Sequence, residues 1–254
     1  MFEYSARDIK VVILAGGAGT RIVHLLPGIP KPMAEVKGRP FLEWIMLKLK
    51  YDGFRSVLIS TGYLGEVIEK YVDQKLLDHI DIDVQCVREH FPCGTAGGFL
   101  NTVRNQAVPM DGYLVINGDS LVLSDAGLLF DTASRYAWDA ALFGLKVPDA
   151  RRYGVLDVDA ECLLKGFKEK GVSSGFINAG IYWFSRNCLT RFPDLHPLSF
   201  EYDVFPSLIS GGARVGVVTV EAPFIDIGTP ESMMDAGAFV EQYLQKDLIE
   251  RKYL

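Results

Sequence analysis

The chain has 254 residues, 49% of them hydrophobic, enough for one large α/β domain or two small ones. A formal net charge of −6 argues against a general nucleic-acid binder, which is more often basic. No run of about 18 apolar residues occurs, so no membrane span is expected, and no charged-then-apolar signal pattern opens the chain. Cys86, Cys93, Cys162 and Cys188 form no C-x-x-C pair, so reduced packing residues of a cytoplasmic protein are the expectation.

In chain order, apolar runs predict strands over 9–14, 56–60, 82–87 and 113–116, with helical patterns between them over 41–51, 64–72 and 95–103. Strand and helix in alternation imply right-handed βαβ crossovers and a mostly parallel sheet, whose buried strands should be rich in Val, Ile and Leu. The second half is less regular. Strands over 140–147, 153–158, 163–167 and 175–184 follow one another without helices, so part of the sheet should be mixed or carry a small antiparallel extension. Helical patterns return at 202–210 and from 230 to about 248, where Thr229 is placed to cap and Pro230 to sit in the first turn. With no linker or repeat, one compact domain is the simplest reading, its two halves spanning 1–125 and 126–254.

The first strand empties into Leu14-Ala-Gly-Gly-Ala-Gly-Thr-Arg21, followed by Lys31-Pro32-Met33. Gly16, Gly17 and Gly19 let backbone N–H donors approach a phosphate chain, and Arg21 and Lys31 add fixed positive charge beside them. The run lacks the Lys-Ser/Thr of a P-loop and the third glycine of a dinucleotide fingerprint, since Ile22 stands there. Asn117-Gly118-Asp119 follows another apolar strand, at the end of the sheet where ligands bind in open α/β folds. Phe224-Ile-Asp-Ile-Gly-Thr-Pro230 offers a second carboxylate, Asp226. Two carboxylates suit Mg²⁺, a hard cation that favours oxygen ligands.

Taken together, these segments resemble the sugar-1-phosphate nucleotidyltransferases, whose signatures are G-G-x-G-T-R-L with P-K-P-M, N-G-D and D-x-G-T-P. The likeness implies a Rossmann-like, glycosyltransferase-A-like fold, with Leu14, Ala15, Gly16, Gly17, Gly19 and Thr20 on the nucleotide. It also implies Asp119 and Asp226 as ligands of a catalytic Mg²⁺. Arg88-Glu-His-Phe-Pro-Cys-Gly-Thr-Ala-Gly-Gly98 resembles the family's nucleobase loop, with Gly94 and Thr95 at its core. Phe167-Lys-Glu-Lys170 resembles its F-x-E-K segment, in which Lys170 would contact the sugar phosphate and Glu169 the sugar hydroxyls. Gly171 stands where the family usually has Pro. Tyr153-Gly154 and Asn178-Ala-Gly-Ile-Tyr182 complete the match, with Asn117, Gly154 and Asn178 expected around the sugar.

Glu89 bears on the base. An ionised carboxylate only accepts hydrogen bonds, and guanine offers two adjacent donors, N1–H and N2–H₂. Uracil and thymine flank one donor with two carbonyl oxygens, while adenine and cytosine set a donor beside an acceptor, so GTP is favoured. The histidines, at 24, 79, 90 and 196, share no metal spacing and no partner nucleophile. No general base is required. The second pKa of a phosphate monoester is about 6, so a sugar 1-phosphate can attack the α-phosphorus as it stands. Arg21, Lys31, Asp119 and Lys170 are the expected catalytic set, and the loop 18–30 is expected to close over bound nucleotide.

The resemblance runs from Val11 to the helix after Pro230, leaving no expected room for an appended β-helix or acyltransferase domain. Gly38-Arg-Pro-Phe-Leu-Glu43 and Phe200-Glu-Tyr-Asp203 are most similar to the D-glycero-D-manno-heptose 1-phosphate guanylyltransferases, implying a GDP-heptose product for a capsule, S-layer or lipopolysaccharide glycan. Mannose 1-phosphate guanylyl transfer is the close alternative, and hexose 1-phosphate uridylyl or thymidylyl transfer the next. A silent sugar-nucleotide-binding regulator is the non-enzymatic reading. The sequence leaves a homo-oligomer open.

Overall fold

A computed structural model describes residues 9–77, 80–104, 106, 110–147, 149–151, 153–168 and 174–244. The first half contains β1 (Lys10–Ala15), β2 (Glu35–Val36), β3 (Arg39–Pro40), α1 (Phe41–Tyr51), β4 (Ser56–Thr61) and α2 (Gly65–Tyr71). Then come β5 (Asp83–Arg88), α3 (Thr95–Arg104), β6 (Gly112–Asn117), β7 (Ser120–Val122) and α4 (Gly127–Tyr136). The remainder comprises β8 (Ala140–Lys146), β9 (Val155–Val158), β10 (Leu164–Lys168), β11 (Phe176–Ser185), α5 (Phe205–Ser210), β12 (Val215–Val220), β13 (Phe224–Asp226) and α6 (Pro230–Tyr243).

A nine-stranded mixed sheet organises these elements. Strands β6, β1, β4 and β5 lie side by side and parallel, with Ile116, Ile13, Ile59 and Cys86 in register across them. β11 runs antiparallel to β6, β8 lies antiparallel along the other edge of β11, and β12 extends the sheet parallel to β8. β9 and β10 form the antiparallel extension, joined to β11 at Ile177. The mostly parallel sheet with a small antiparallel extension is therefore as expected.

Successive side chains on a strand face opposite ways, so β1 feeds two cores. Val11, Ile13 and Ala15 pack in the core that holds α1, with Phe41, Trp44 and Ile45. Val12 joins Phe99 of α3 with Phe200 and Phe205 on the other face. Each large side chain buried this way contributes about 1.5–3 kcal/mol. α1 is buried nearly all round, and its one buried acid, Glu43, is held by the Arg39 guanidinium and the Tyr71 hydroxyl. Burial and the adjoining Glu43 carboxylate raise the pKa of the Tyr71 phenol. On the opposite face, Phe184 stacks on Phe200 with centroids 5.2 Å apart, which anchors the segment around residue 200 beside the site.

Differences from the sequence reading have local causes. The helix expected over 64–72 is α2 continued by a wide π-type turn, Val72–Leu76. That over 202–210 divides into a similar turn, Phe200–Val204, and α5. The C-terminal helix begins with the Thr229–Ser232 capping box and Pro230 as anticipated, and the stretch expected to reach 248 passes beyond the described residues after 244. α4 escaped notice because Ser124-Asp-Ala-Gly127 has turn composition; Asp125 Oδ1 accepts from the Gly127 N–H at 2.8 Å at the helix start. β12 was missed because Gly216 interrupts its apolar run. A Cβ there would stand 1.8 Å from Trp138, so the glycine makes room for the indole.

Candidate active site

The carboxyl ends of β1, β4 and β6 open on one side of the sheet, and three recesses meet there. Asp119 borders all three. The Gly118 N–H donates to the Leu14 carbonyl at 2.9 Å, tying the segment that carries Asp119 to the start of the glycine loop.

The first recess is lined by Leu14, Ala15, Gly17, Gly19, Thr20, Arg21, Lys31 and Asp119. Its loop is pinned from below by Ile22, 1% exposed, so the exchange of Leu for Ile keeps an apolar anchor. Lys31 lies in a single 3-10 turn whose next two residues, Pro32 and Met33, are buried. That turn sends the ammonium inward, where Nζ donates to Asp119 Oδ2 at 2.5 Å. Arg21 is exposed at the rim and borders the third recess as well. Glycine-loop backbone and two cations around one recess are the chemistry that a polyphosphate would require.

The second recess is a cleft of about 600 Å³, within the range of small-molecule sites. Leu14, Gly16 and Gly17 form part of one wall, and Glu89, Phe91, Gly94 and Thr95 part of another, with Asn117 beside Asp119. The Glu89 carboxylate is half-buried and fixed. Oε1 accepts from Ser60 Oγ at 2.8 Å and Oε2 from the Cys93 N–H at 3.4 Å. A Cβ on Gly16 or Gly98 would stand 2.3 or 2.4 Å from Oε1, so these glycines make room for the carboxylate. Gly94 has φ +78°, and its absent Cβ leaves space for the Leu198 carbonyl, which accepts from the Ala96 and Gly97 N–H groups. Gly94 and Gly97 were expected to admit a ring or phosphate; here Gly94 makes room for Leu198 and Gly97 for the Cys93 side chain, while Gly94 still borders the cleft.

The third recess joins Arg21, Lys31, Asn117 and Asp119 to Gly154, Asn178 and Asp226. β13 pairs with β7 so that Asp226 faces Ser120 in register, and the Ile227 N–H donates to the Asp119 carbonyl at 2.9 Å. The two aspartates, 107 residues apart in sequence (226 − 119), are thereby neighbours. Asp226 Oδ1 accepts from the Gly228 N–H at 3.0 Å and Oδ2 from the Tyr153 hydroxyl. The donor set is a pair of carboxylates with space between recesses that would hold phosphate oxygens, which fits a hard divalent cation bound jointly by protein and substrate. Among the described residues no group of three or more His, Cys, Asp or Glu could hold a metal by itself.

Glu169 and Lys170 lie outside the described residues. Two residues at the site were not singled out from sequence for it. Tyr153 was noted only with its neighbouring glycine, and Glu201 only as part of Phe200-Glu-Tyr-Asp203. Glu201 borders both the third recess and an adjoining cavity of about 760 Å³. Its only sequence signal was an acid set among aromatics before a helix. Among the described residues no helix is long and apolar enough to cross a membrane.

A family profile described as "Nucleotidyl transferase" matches residues 10–243. A mannose-1-phosphate guanylyltransferase of Mycobacterium tuberculosis is 33% identical over 241 residues; the match covers 92% of this chain and 65% of that protein's length. A D-glycero-alpha-D-manno-heptose 1-phosphate guanylyltransferase of Aneurinibacillus thermoaerophilus is 30% identical over 237 residues, covering 93% of this chain and 100% of the relative. The crystal structure of HddC from Yersinia pseudotuberculosis complexed with GMP-PN superposes with a TM-score of 0.79 at 32% identity, over 91% of this chain and 98% of that one.

Proposed function

The chain belongs to the nucleotidyl transferase family, and from that premise we propose that it transfers a guanylyl group from GTP to a sugar 1-phosphate, releasing pyrophosphate. One observation carries this reading: a phosphate-type recess, a base-sized cleft and a third, polar recess all meet at Asp119, beside Lys31. A nucleotide and a second phosphorylated substrate can then share one reacting point.

In the proposed reaction a phosphate oxygen of the sugar 1-phosphate forms a bond to the α-phosphorus of GTP. The bond from that phosphorus to the bridging oxygen breaks, and pyrophosphate leaves with the electron pair. The attacking monoester already carries nearly its full negative charge at pH 7, so no general base is assigned. The protein's contribution is to bring two anions together in line and to neutralise the charge that separates them. The amides of the glycine loop and Arg21 are assigned to the triphosphate, and Lys31 to the α-phosphoryl group. For Lys31 this means exchanging Asp119, its partner at 2.5 Å, for phosphate oxygens. Lys170 is assigned to the sugar phosphate on the resemblance alone. Asp119 and Asp226 would hold Mg²⁺, which when bound supplies further positive charge to phosphate oxygens.

Glu89 supports guanine as the base, since a fixed acceptor-only group in the wall of the cleft matches N1–H and N2–H₂. Heptose is supported by the likeness of Gly38–Glu43 and Phe200–Asp203 to the heptose guanylyltransferases, and a second cavity shares Gly154 and Glu201 with the third recess. The mycobacterial relative's name favours mannose as the second reading. We read the chain as one domain, because β1 and β6 from the first half and β11 and β8 from the second share one sheet. The test is pyrophosphate release with Mg²⁺. Release requiring GTP and a sugar 1-phosphate together is expected; release confined to UTP or dTTP, or none with any pair, would contradict the reading.

A further inference from the structure

Asn178 is, beside Glu169, a residue that the sequence offers to the sugar, yet its hydrogen-bonding groups are already engaged. Its Nδ2 donates to the Tyr182 hydroxyl oxygen at 3.0 Å and to Glu201 Oε1 at 2.7 Å. Its Oδ1 accepts from the Gly180 N–H at 3.0 Å. An amide has two donors, and both are used. Tyr182 is buried and takes a further hydrogen bond from Asn117; burial and the charges of Glu201 and Asp119 raise the pKa of its phenol, so it stays neutral. Asn178 is thus gripped on three sides and in turn grips one oxygen of Glu201. The second oxygen, Oε2, has no hydrogen bond among the described residues, and the side chain borders both the third recess and the adjoining cavity.

We propose that Glu201 is the group that accepts hydrogen bonds from the sugar's hydroxyls, and that Asn178 is a positioning residue acting through it. This rests on the sugar 1-phosphate reading of the third recess. A carboxylate with one oxygen anchored presents the other at a defined place, and a hydroxyl donating to it forms a charge-assisted hydrogen bond. The phosphate end of the same substrate would lie toward Arg21, Lys31 and the two aspartates, which line the rest of the recess.

The test compares Glu201→Ala, Glu201→Gln, Asn178→Ala and the Glu201→Ala/Asn178→Ala double variant, varying sugar phosphate and nucleotide in turn. Wild-type turnover with GTP is measured first. Its absence counts against the guanylyl reading alone, and the comparison then uses whichever nucleotide and sugar phosphate do turn over. Glu201→Ala is expected to raise KM for the sugar phosphate about tenfold and leave KM for the nucleotide unchanged, as loss of a partly exposed charged hydrogen bond implies. Glu201→Gln, which keeps a carbonyl acceptor, should recover part of that loss. Asn178→Ala should lose no more than Glu201→Ala, and the double variant no more than Glu201→Ala alone. Glu201 is exposed, so Glu201→Ala should fold normally, and its thermal midpoint checks this. An unchanged sugar KM in Glu201→Ala, or fully additive losses in the double variant, would overturn the proposal.

Discussion

Replacing Glu89 by Gln alters the base cleft by one atom type and leaves its shape intact. The carboxylate accepts from Ser60 Oγ at 2.8 Å and from the Cys93 N–H at 3.4 Å, in space that the missing Cβ atoms of Gly16 and Gly98 leave for it. A glutamine in the same place keeps one acceptor and turns the other into a donor. The Ser60 hydroxyl can accept as well as donate, so it can accommodate an amide. Guanine cannot, because both of its facing groups are donors. One charged hydrogen bond is lost, at about 1.5–3 kcal/mol, which is roughly a 10- to 150-fold fall in kcat/KM for GTP at 1.4 kcal/mol per decade. UTP should gain, since an amide donor no longer repels the carbonyl oxygens of uracil. The assay is kcat/KM for GTP and for UTP at one fixed sugar 1-phosphate concentration, with the thermal midpoint as a check on folding. A GTP-to-UTP ratio within about twofold of wild type in a normally folded variant would refute the assignment of Glu89 to the base.

Three further outcomes are expected. Asp119→Asn and Asp226→Asn should each lower kcat by ~10²–10³, as removal of a charged contact at the reacting centre typically does; near-normal turnover of either at saturating Mg²⁺ would remove that residue from the metal site. A Cβ at Gly154 meets no atom within 4 Å, and Gly154 lines both the third recess and the adjoining cavity, so Gly154→Val adds bulk there. It should reduce kcat/KM for the heptose about tenfold relative to mannose, and equal losses on both would contradict the use of that cavity. Gly216→Ala places a methyl 1.8 Å from Trp138 in β12, overpacking of about 1–3 kcal/mol. Calorimetry should show the midpoint falling by roughly 2–12 °C, and an unchanged midpoint would mean that Trp138 is not held where it lies.

The first half of the fold could be read from sequence because each parallel strand is a short apolar run bounded by turn residues, and β1, β4, β5 and β6 all appeared within a residue of the expected bounds. Short pairings could not. β7 and β13 have three residues each, and only their long-range pairing brings Asp119 and Asp226 together. The site was legible where a residue type is demanded by chemistry: Lys31 beside Asp119, and Glu89 in the wall of the cleft. It was less legible where one residue acts on another. The need for Gly16 and Gly98 to clear the Glu89 carboxylate is a three-body packing fact. Likewise the commitment of Asn178 to Tyr182, Gly180 and Glu201 joins β11 to a turn more than twenty residues later, which no local pattern encodes.

The most direct measurement offers the protein equal amounts of GTP, UTP, dTTP, CTP and ATP together with heptose and mannose 1-phosphates and Mg²⁺, and identifies the products by mass. The account predicts one dominant product, the GDP-heptose, with pyrophosphate formed in equal amount. GDP-mannose in its place would keep the guanylyl transfer and discard the heptose. A uridylyl or thymidylyl product as the main species would contradict the central claim.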